Sequence, residues 1–317
     1  MKLVDKVILC EVGLRDGLQN ECTHLTTEQK IELINDIVDA GYKVIEVGSF
    51  MSPKAVPQMA DTDEIMKRIN RKEGVEYRVL IANLKGVERA IACGCKKVKL
   101  NVSASRAHNL ANLNRTPEET VAGFQDCVDL AKKNGIEISG SISMPFGSPW
   151  EYKIPVQDIK NIVAAYLACG ITQISLSDAS GMAVPTQVYK LCKEMKETYP
   201  QVSWVIHLHN TRGMALTNML SAMQAGMDTF DVSFGGLGGC PFVPGAAGNL
   251  VSEDTIHMLD EMGIETGINL DKAITLAKKV QKMVGHNLDG FILKAGKSSE
   301  LVHELPKRQG KNEKIDK

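Results

Sequence analysis

The sequence has no uninterrupted apolar run near the roughly 20 residues that a membrane-spanning helix needs, and its longest apolar stretches are broken by charges. The amino-terminal MKLVDKVILCEVGLRDG carries a short apolar run and no small-residue cleavage site, so it reads as neither signal peptide nor anchor, and a cytoplasmic location is expected. Charge of one sign is also missing. Lys plus Arg number 37 against 38 Asp plus Glu, a formal net charge of −1, which offers no broad basic face to nucleic acid or an anionic membrane and points to a small-molecule partner. No disulfide framework is present either: Cys10, Cys22, Cys93, Cys95, Cys127, Cys169, Cys192 and Cys240 are dispersed and read as mostly reduced, buried filler. Cys93-Gly94-Cys95 has no second cysteine pair or neighbouring His to complete a metal or redox centre.

What the chain does have is regular alternation. With 44% hydrophobic and 24% charged residues over 317 positions it can bury one large core. Eight β-branched runs are expected as strands: 7–9, 44–47, 77–81, 98–102, 136–142, 172–176, 203–208 and 229–233. Between them, helical patterns occupy 27–40, 62–70, 116–134, 155–169, 185–199 and 213–225. Gly41, Gly94, Gly135, Gly170 and Gly226 stand where left-handed residues end helices. Eight βα units without a long linker or composition break predict an α/β fold, a (β/α)8 TIM barrel of about 250 residues, formed by one domain over 1–317. The segment after about 250 then adds C-terminal helices and a charged tail, KRQGKNEKIDK. A doubly wound open sheet is the rival architecture, but no GxGxxG follows the first strand.

In a barrel the active site forms at the carboxyl ends of the strands. Strand 1 runs there into Glu11-Val12-Gly13-Leu14-Arg15-Asp16; strand 2 includes Glu46, strand 3 ends at Asn83 and strand 6 at Asp178. His207-Leu208-His209 on strand 7 puts two imidazoles on one face, where both can meet one ion. Alone, such a pair is as well explained by hydrogen bonds to backbone or core carboxylates. With Asp16 on the same rim, a centre for Mg2+ or Mn2+ is expected, Zn2+ being the next candidate. Arg15 can stabilise an enolate or carboxylate oxygen, or can bridge Glu46 or Asp178 to hold the rim. Residues 235–249 contain six glycines and two prolines, too many for regular structure; this loop could close as a lid with Cys240 exchanging protons, or be merely flexible.

Three motifs in this order, EVGLRDGLQNE, HLH and GGLGGCPFVPGAAGNLVSED, resemble the hallmarks of the 3-hydroxy-3-methylglutaryl-CoA lyase family over nearly the whole chain, the loop around Cys240 being the most specific. The resemblance implies a TIM-barrel metallolyase that cleaves an acyl-CoA to acetyl-CoA and acetoacetate. It implies Asp16, His207, His209 and Asn249 as ligands of Mg2+ or Mn2+, with Asn249 resting on the resemblance alone. It further implies Arg15 as the enolate's partner, Asp16, His207 or a water as the base, Cys240 on a mobile loop, and Glu46, Asp178 and Glu253 as supporting acids; family members are commonly homodimers. Departures occur at 143–152 (SMPFGSPWEY for FGCPYEG), 175–181 (SLSDASG for SLGDTIG) and 209–213 (HNTRG for HDTYG). These loops are expected at the substrate mouth, so a related thioester, citramalyl-CoA or a longer-branched glutaryl-CoA, is an alternative substrate, and Arg212 adds a positive charge that either meets a carboxylate or CoA phosphate or is solvated at the surface. Claisen-condensing acyltransferases of the isopropylmalate synthase type share the Arg-Asp pair and HxH, but carry a Glu-Arg pair after strand 8 that is missing here. A non-catalytic binding barrel is the third reading.

Overall fold

The computed structural model describes residues 3–239 and 247–300. Eight parallel strands close a barrel in chain order, each hydrogen-bonded to its neighbours and the last to the first. They are β1 (Ile8–Glu11), β2 (Val44–Ser49), β3 (Glu76–Ile81), β4 (Lys97–Ser103), β5 (Glu137–Ser143), β6 (Gln173–Asp178), β7 (Ser203–Leu208) and β8 (Thr229–Val232).

The helices are α1 (Thr27–Ala40), α2 (Thr62–Arg68), α3 (Leu84–Ala92), α4 (Arg106–Leu113), α5 (Pro117–Ala122) and α6 (Phe124–Lys133). After β5 come α7 (Val156–Ala168), α8 (Pro185–Thr198) and α9 (Ala215–Gln224), and the carboxyl-terminal region adds α10 (Ser252–Glu261), α11 (Leu270–Val284) and α12 (Ile292–Ala295). Among the described residues no helix is long and apolar enough to cross a membrane.

Local chemistry fixes most boundaries. Thr26 and Gln29 form a reciprocal capping box that starts α1, and Gly41 ends it at φ +110°. Gly94, Gly135, Gly170 and Gly226 also take positive φ, as the helix-glycine-strand phrase requires. The pattern over 116–134 is two helices rather than one, because the chain pauses at Gly123 between α5 and α6. Asn83 is not the end of a strand: it caps α3, its side chain accepting from the Gly86 amide at 3.3 Å.

The outer faces of the strands pack on the helices in one continuous apolar core, for example Val79 and Val98 with Val87 and Ala90. The seven described cysteines are free, five of them buried. Cys93 and Cys95 bring their sulfurs to 3.5 Å at the foot of β4 without forming a disulfide.

The inner face is different. Glu46 on β2, Arg78 on β3, Lys99 on β4, His207 on β7 and Asp231 on β8 all point into the barrel and are at most 3% exposed. Barrel interiors are usually filled by branched apolar side chains, so this charged layer has to be explained by what stands above it.

Candidate metal centre and active site

The chain leaving β1 turns at once into a short π-helical segment, Gly13–Gly17. The Glu11 carboxylate holds that turn by accepting from the Gly13 amide (2.8 Å), the Phe234 amide (3.1 Å) and Ser252 Oγ (2.6 Å), joining the ends of β1 and β8 to the start of α10. Burial pushes its carboxyl up to about 7. Arg15 and Asp16 are thereby presented at the barrel mouth, both 8% exposed.

Ligand atoms of Asp16, His207 and His209 all lie within 4.8 Å of one another, the only such cluster of metal-binding side chains among the described residues. The two Nε2 atoms are 3.0 Å apart, and Asp16 Oδ2 is 3.9 Å from the first and 3.5 Å from the second. Two cis ligands about 2.1 Å from one ion would be separated by about 3.0 Å. Burial depresses His209 to about 4, which keeps the imidazole neutral and its lone pair available. For Asp16, burial alone would raise the carboxyl, but the Arg15 guanidinium and the two imidazoles outweigh it and hold it well below the ordinary range.

Asn249 sits beside His209 in an isolated antiparallel bridge. Its Nδ2 donates to Asp16 Oδ2 (2.7 Å) and to the Leu237 carbonyl (2.9 Å), while its buried Oδ1 has no partner among the described residues. A carboxylate, two imidazoles and an orphaned amide oxygen are a donor set that fits a divalent cation. Gly238, at φ +124°, makes the approach possible, since a Cβ there would run into Asn249 Nδ2 and lie 3.2 Å from Asp16 Oδ2.

Arg15 donates through Nε to Glu46 and through Nη1 to Asp16, and no described residue accepts from its Nη2. Of the two bridges open in the sequence, Glu46 is therefore the one formed. Glu46 Oε2 also accepts from Arg78 Nε (3.0 Å) and Lys99 Nζ (3.2 Å). Asp231 accepts from Arg78 Nη2 (2.6 Å), Lys99 Nζ (2.8 Å) and His207 Nδ1 (3.2 Å). Burial works against both carboxylates, and the surrounding cations still hold them below the ordinary range. With its Nδ1 proton committed to Asp231, His207 turns the lone pair of Nε2 to the cluster, the usual second layer of a histidine metal ligand.

Sequence reasoning missed Arg78, Lys99 and Asp231. The available signal was charge at inward positions of strands whose alternate residues are apolar, as in Val98-Lys99-Leu100-Asn101-Val102.

Other expected residues fall outside this arrangement. Asp178 Oδ1 accepts from the Met182 amide (3.0 Å) and Ser180 Oγ (3.2 Å), and Oδ2 from the Ala183 amide (3.1 Å), so the carboxylate shapes the loop after β6; burial raises it to about 7. Glu253 accepts from the Gly235 amide at 2.9 Å, and burial lifts it well above the usual carboxylate range. Arg212 is exposed and donates to the Ser180 (3.2 Å) and Gly181 (3.0 Å) carbonyls. Cys240 lies outside the described residues.

A cavity of about 250 Å³ opens over Asp16, His207 and His209. Of the three departing segments, Ser143, Ser177, Ala179 and His209 contribute to its wall, whereas 144–152 and 210–213 do not.

Residues 6–280 match the model of the HMGL-like family. The chain belongs to that family. Among relatives in it, the hydroxymethylglutaryl-CoA lyase YngG of Bacillus subtilis is 37% identical over 93% of this chain and 98% of its own length. The human mitochondrial hydroxymethylglutaryl-CoA lyase is 40% identical over 86% of this chain and 84% of its own. A solved HMG-CoA lyase from Acinetobacter baumannii, in complex with coenzyme A and 3-methylmalate, superposes with a TM-score of 0.92 at 40% identity, covering 96% of this chain and all of that one.

Proposed function

We propose that this chain is a divalent-cation-dependent carbon–carbon lyase that cleaves 3-hydroxy-3-methylglutaryl-CoA to acetyl-CoA and acetoacetate, acting in the cytoplasm as one domain over 1–317. The observation that carries this reading is the convergence of Asp16, His207 and His209 within 4.8 Å, beside an arginine with an unused donor edge at the mouth of the barrel. Asp16, His207, His209 and Asn249 would hold Mg2+ or Mn2+, and the bound cation supplies Lewis acidity at the substrate's oxygens.

The reaction is a retro-Claisen cleavage. The C3 hydroxyl gives its proton to a base at the mouth, Asp16, His207 or a water, and becomes the ketone of acetoacetate as the C2–C3 bond breaks. The bonding pair passes to the thioester enolate, which a proton then converts to acetyl-CoA. Arg15 stabilises the enolate oxygen through its Nη2 edge. Glu46 fixes the guanidinium plane, so the charge is in place before the bond breaks and need not reorganise during it. Asp231 fixes the His207 ring. Glu46 is thus a positioning residue, and Cys240 is the donor for enolate protonation that the family motif suggests.

The test is release of acetyl-CoA from a panel of 3-hydroxyacyl-CoA thioesters with and without Mg2+ or Mn2+. Cleavage that needs the cation is expected, and absence of cleavage for every member overturns the assignment.

A further inference from the structure

Lys99 enters no motif of the family resemblance, yet it is the deepest cation on the cavity wall. It is 3% exposed and lines the cavity together with Arg15, Asp16, His207 and His209. An ammonium has three N–H donors. Two of Lys99's go to Glu46 and Asp231, and no other described residue accepts the third. Arg78 bridges the same two carboxylates but does not reach the cavity wall. The protein thus already has one cation that completes the ring of charge, and the second faces open space.

Two residues further along β4, on the same inward face, Asn101 also lines the cavity. Its Oδ1 accepts from Ser143 Oγ at 3.0 Å. That bond orients the amide, and no described residue accepts from its Nδ2. Ser141 and Ser177 line the wall alongside. The floor therefore sets hydrogen-bond donors around a positive charge, with the apolar Leu80 beside them on the same wall.

We propose that Lys99 and Asn101 form an anion subsite that takes the free carboxylate at the end of the substrate's acyl chain. This rests on the lyase reading and deepens it by assigning the residues that hold the carboxylate and so select for it. Lys99 supplies charge and one donor, and Asn101 supplies a second donor with fixed direction.

The test is calorimetric binding of 3-hydroxyglutaryl-CoA and 3-hydroxybutyryl-CoA to the full chain with a chelator present. The chelator removes both turnover and any contribution of a divalent ion to carboxylate binding. Hydrogen bonds to a charged group predict that the wild type prefers the carboxylate-bearing thioester by about ten- to a hundredfold. Lys99→Met should reduce that preference, read as the ratio of the two affinities in the same variant, to within about twofold. Because Lys99 also pairs with two buried acids, Asn101→Leu, which touches neither, provides a second reading, and should reduce the preference by about threefold or more. Equal affinity of the wild type for the two thioesters, or an undiminished preference in a folded Lys99→Met and in Asn101→Leu, overturns the subsite. Failure of the lyase reading would appear separately, as no cleavage of any thioester by the cation-loaded wild type.

Discussion

Replacing Asp231 by Asn tests whether the charged barrel layer orients the site above it. The side chain keeps its shape and loses one charge. Asp231 accepts from Arg78, Lys99 and His207 at 2.6, 2.8 and 3.2 Å in a fully buried position. Removing one member of a buried ion pair costs about 3–5 kcal/mol, because the remaining charge is left without compensation. At about 2.1 cal/mol/K per residue over 317 residues, the unfolding entropy is about 0.7 kcal/mol/K, so the melting midpoint should fall by about 5–7 °C. Exchange of the carboxylate that accepts from His207 Nδ1 for a neutral amide should separately weaken Mn2+ binding by about 10- to 100-fold. The assays are thermal unfolding of the cation-free protein and titration calorimetry with Mn2+. Adding Lys99→Met to Asp231→Asn restores the balance of charge, so the second substitution should cost less in this background than in the wild type. Unchanged melting together with unchanged Mn2+ affinity in Asp231→Asn would refute the argument.

Three further outcomes are expected. Arg15→Gln should keep Mn2+ affinity within a few-fold but lose about two to three orders of magnitude or more in kcat, measured by acetyl-CoA release; a near-normal rate removes the enolate role. Gly238→Ala should lower Mn2+ affinity by about tenfold or more, because its Cβ displaces the Asn249 amide and the positive φ costs about 1–3 kcal/mol; titration calorimetry reads this directly. Glu11, raised by burial to about 7 from an ordinary 4.5, favours the protonated fold: its contribution is complete below pH 4.5 and is lost as pH rises through 7. Urea unfolding free energies should therefore fall between pH 5 and 8 by up to about 3 kcal/mol more in the wild type than in Glu11→Gln, and parallel pH profiles would contradict the assignment.

The barrel was legible because its signals are local and repeated. A helix ending in a left-handed glycine followed by a β-branched run recurs at Gly41, Gly94, Gly135, Gly170 and Gly226, and regular recurrence leaves few topologies. Helix α4 escapes the same reading because its buried face carries His108 and Asn109 instead of apolar residues. Helix α3 is short and contains Gly86, whose missing side chain lets the helix press against Ile81. At the site, Asp16 and the two histidines were legible from strand-end position and spacing. Arg78, Lys99 and Asp231 were not, since alternation of apolar and polar residues ordinarily means a strand with one wet face. In a closed barrel neither face is wet, and the same alternation means that the polar residues point inward.

That reversal explains why charge is kept in a position where it is costly. Desolvating Glu46, Arg78, Lys99 and Asp231 gives no evident gain in stability over a packed apolar layer, but an apolar layer could not hold a guanidinium or select a histidine tautomer. The histidines aside, the three cations Arg15, Arg78 and Lys99 balance the three anions Asp16, Glu46 and Asp231. A divalent cation would bring two positive charges into this neutral enclosure, where unpaired charge is expensive. A ligand carrying one carboxylate compensates half of that, and an oxygen that becomes anionic only during reaction compensates the rest. The site is then best balanced when the bond is breaking rather than when substrate first binds, which is the condition for binding energy to appear as rate.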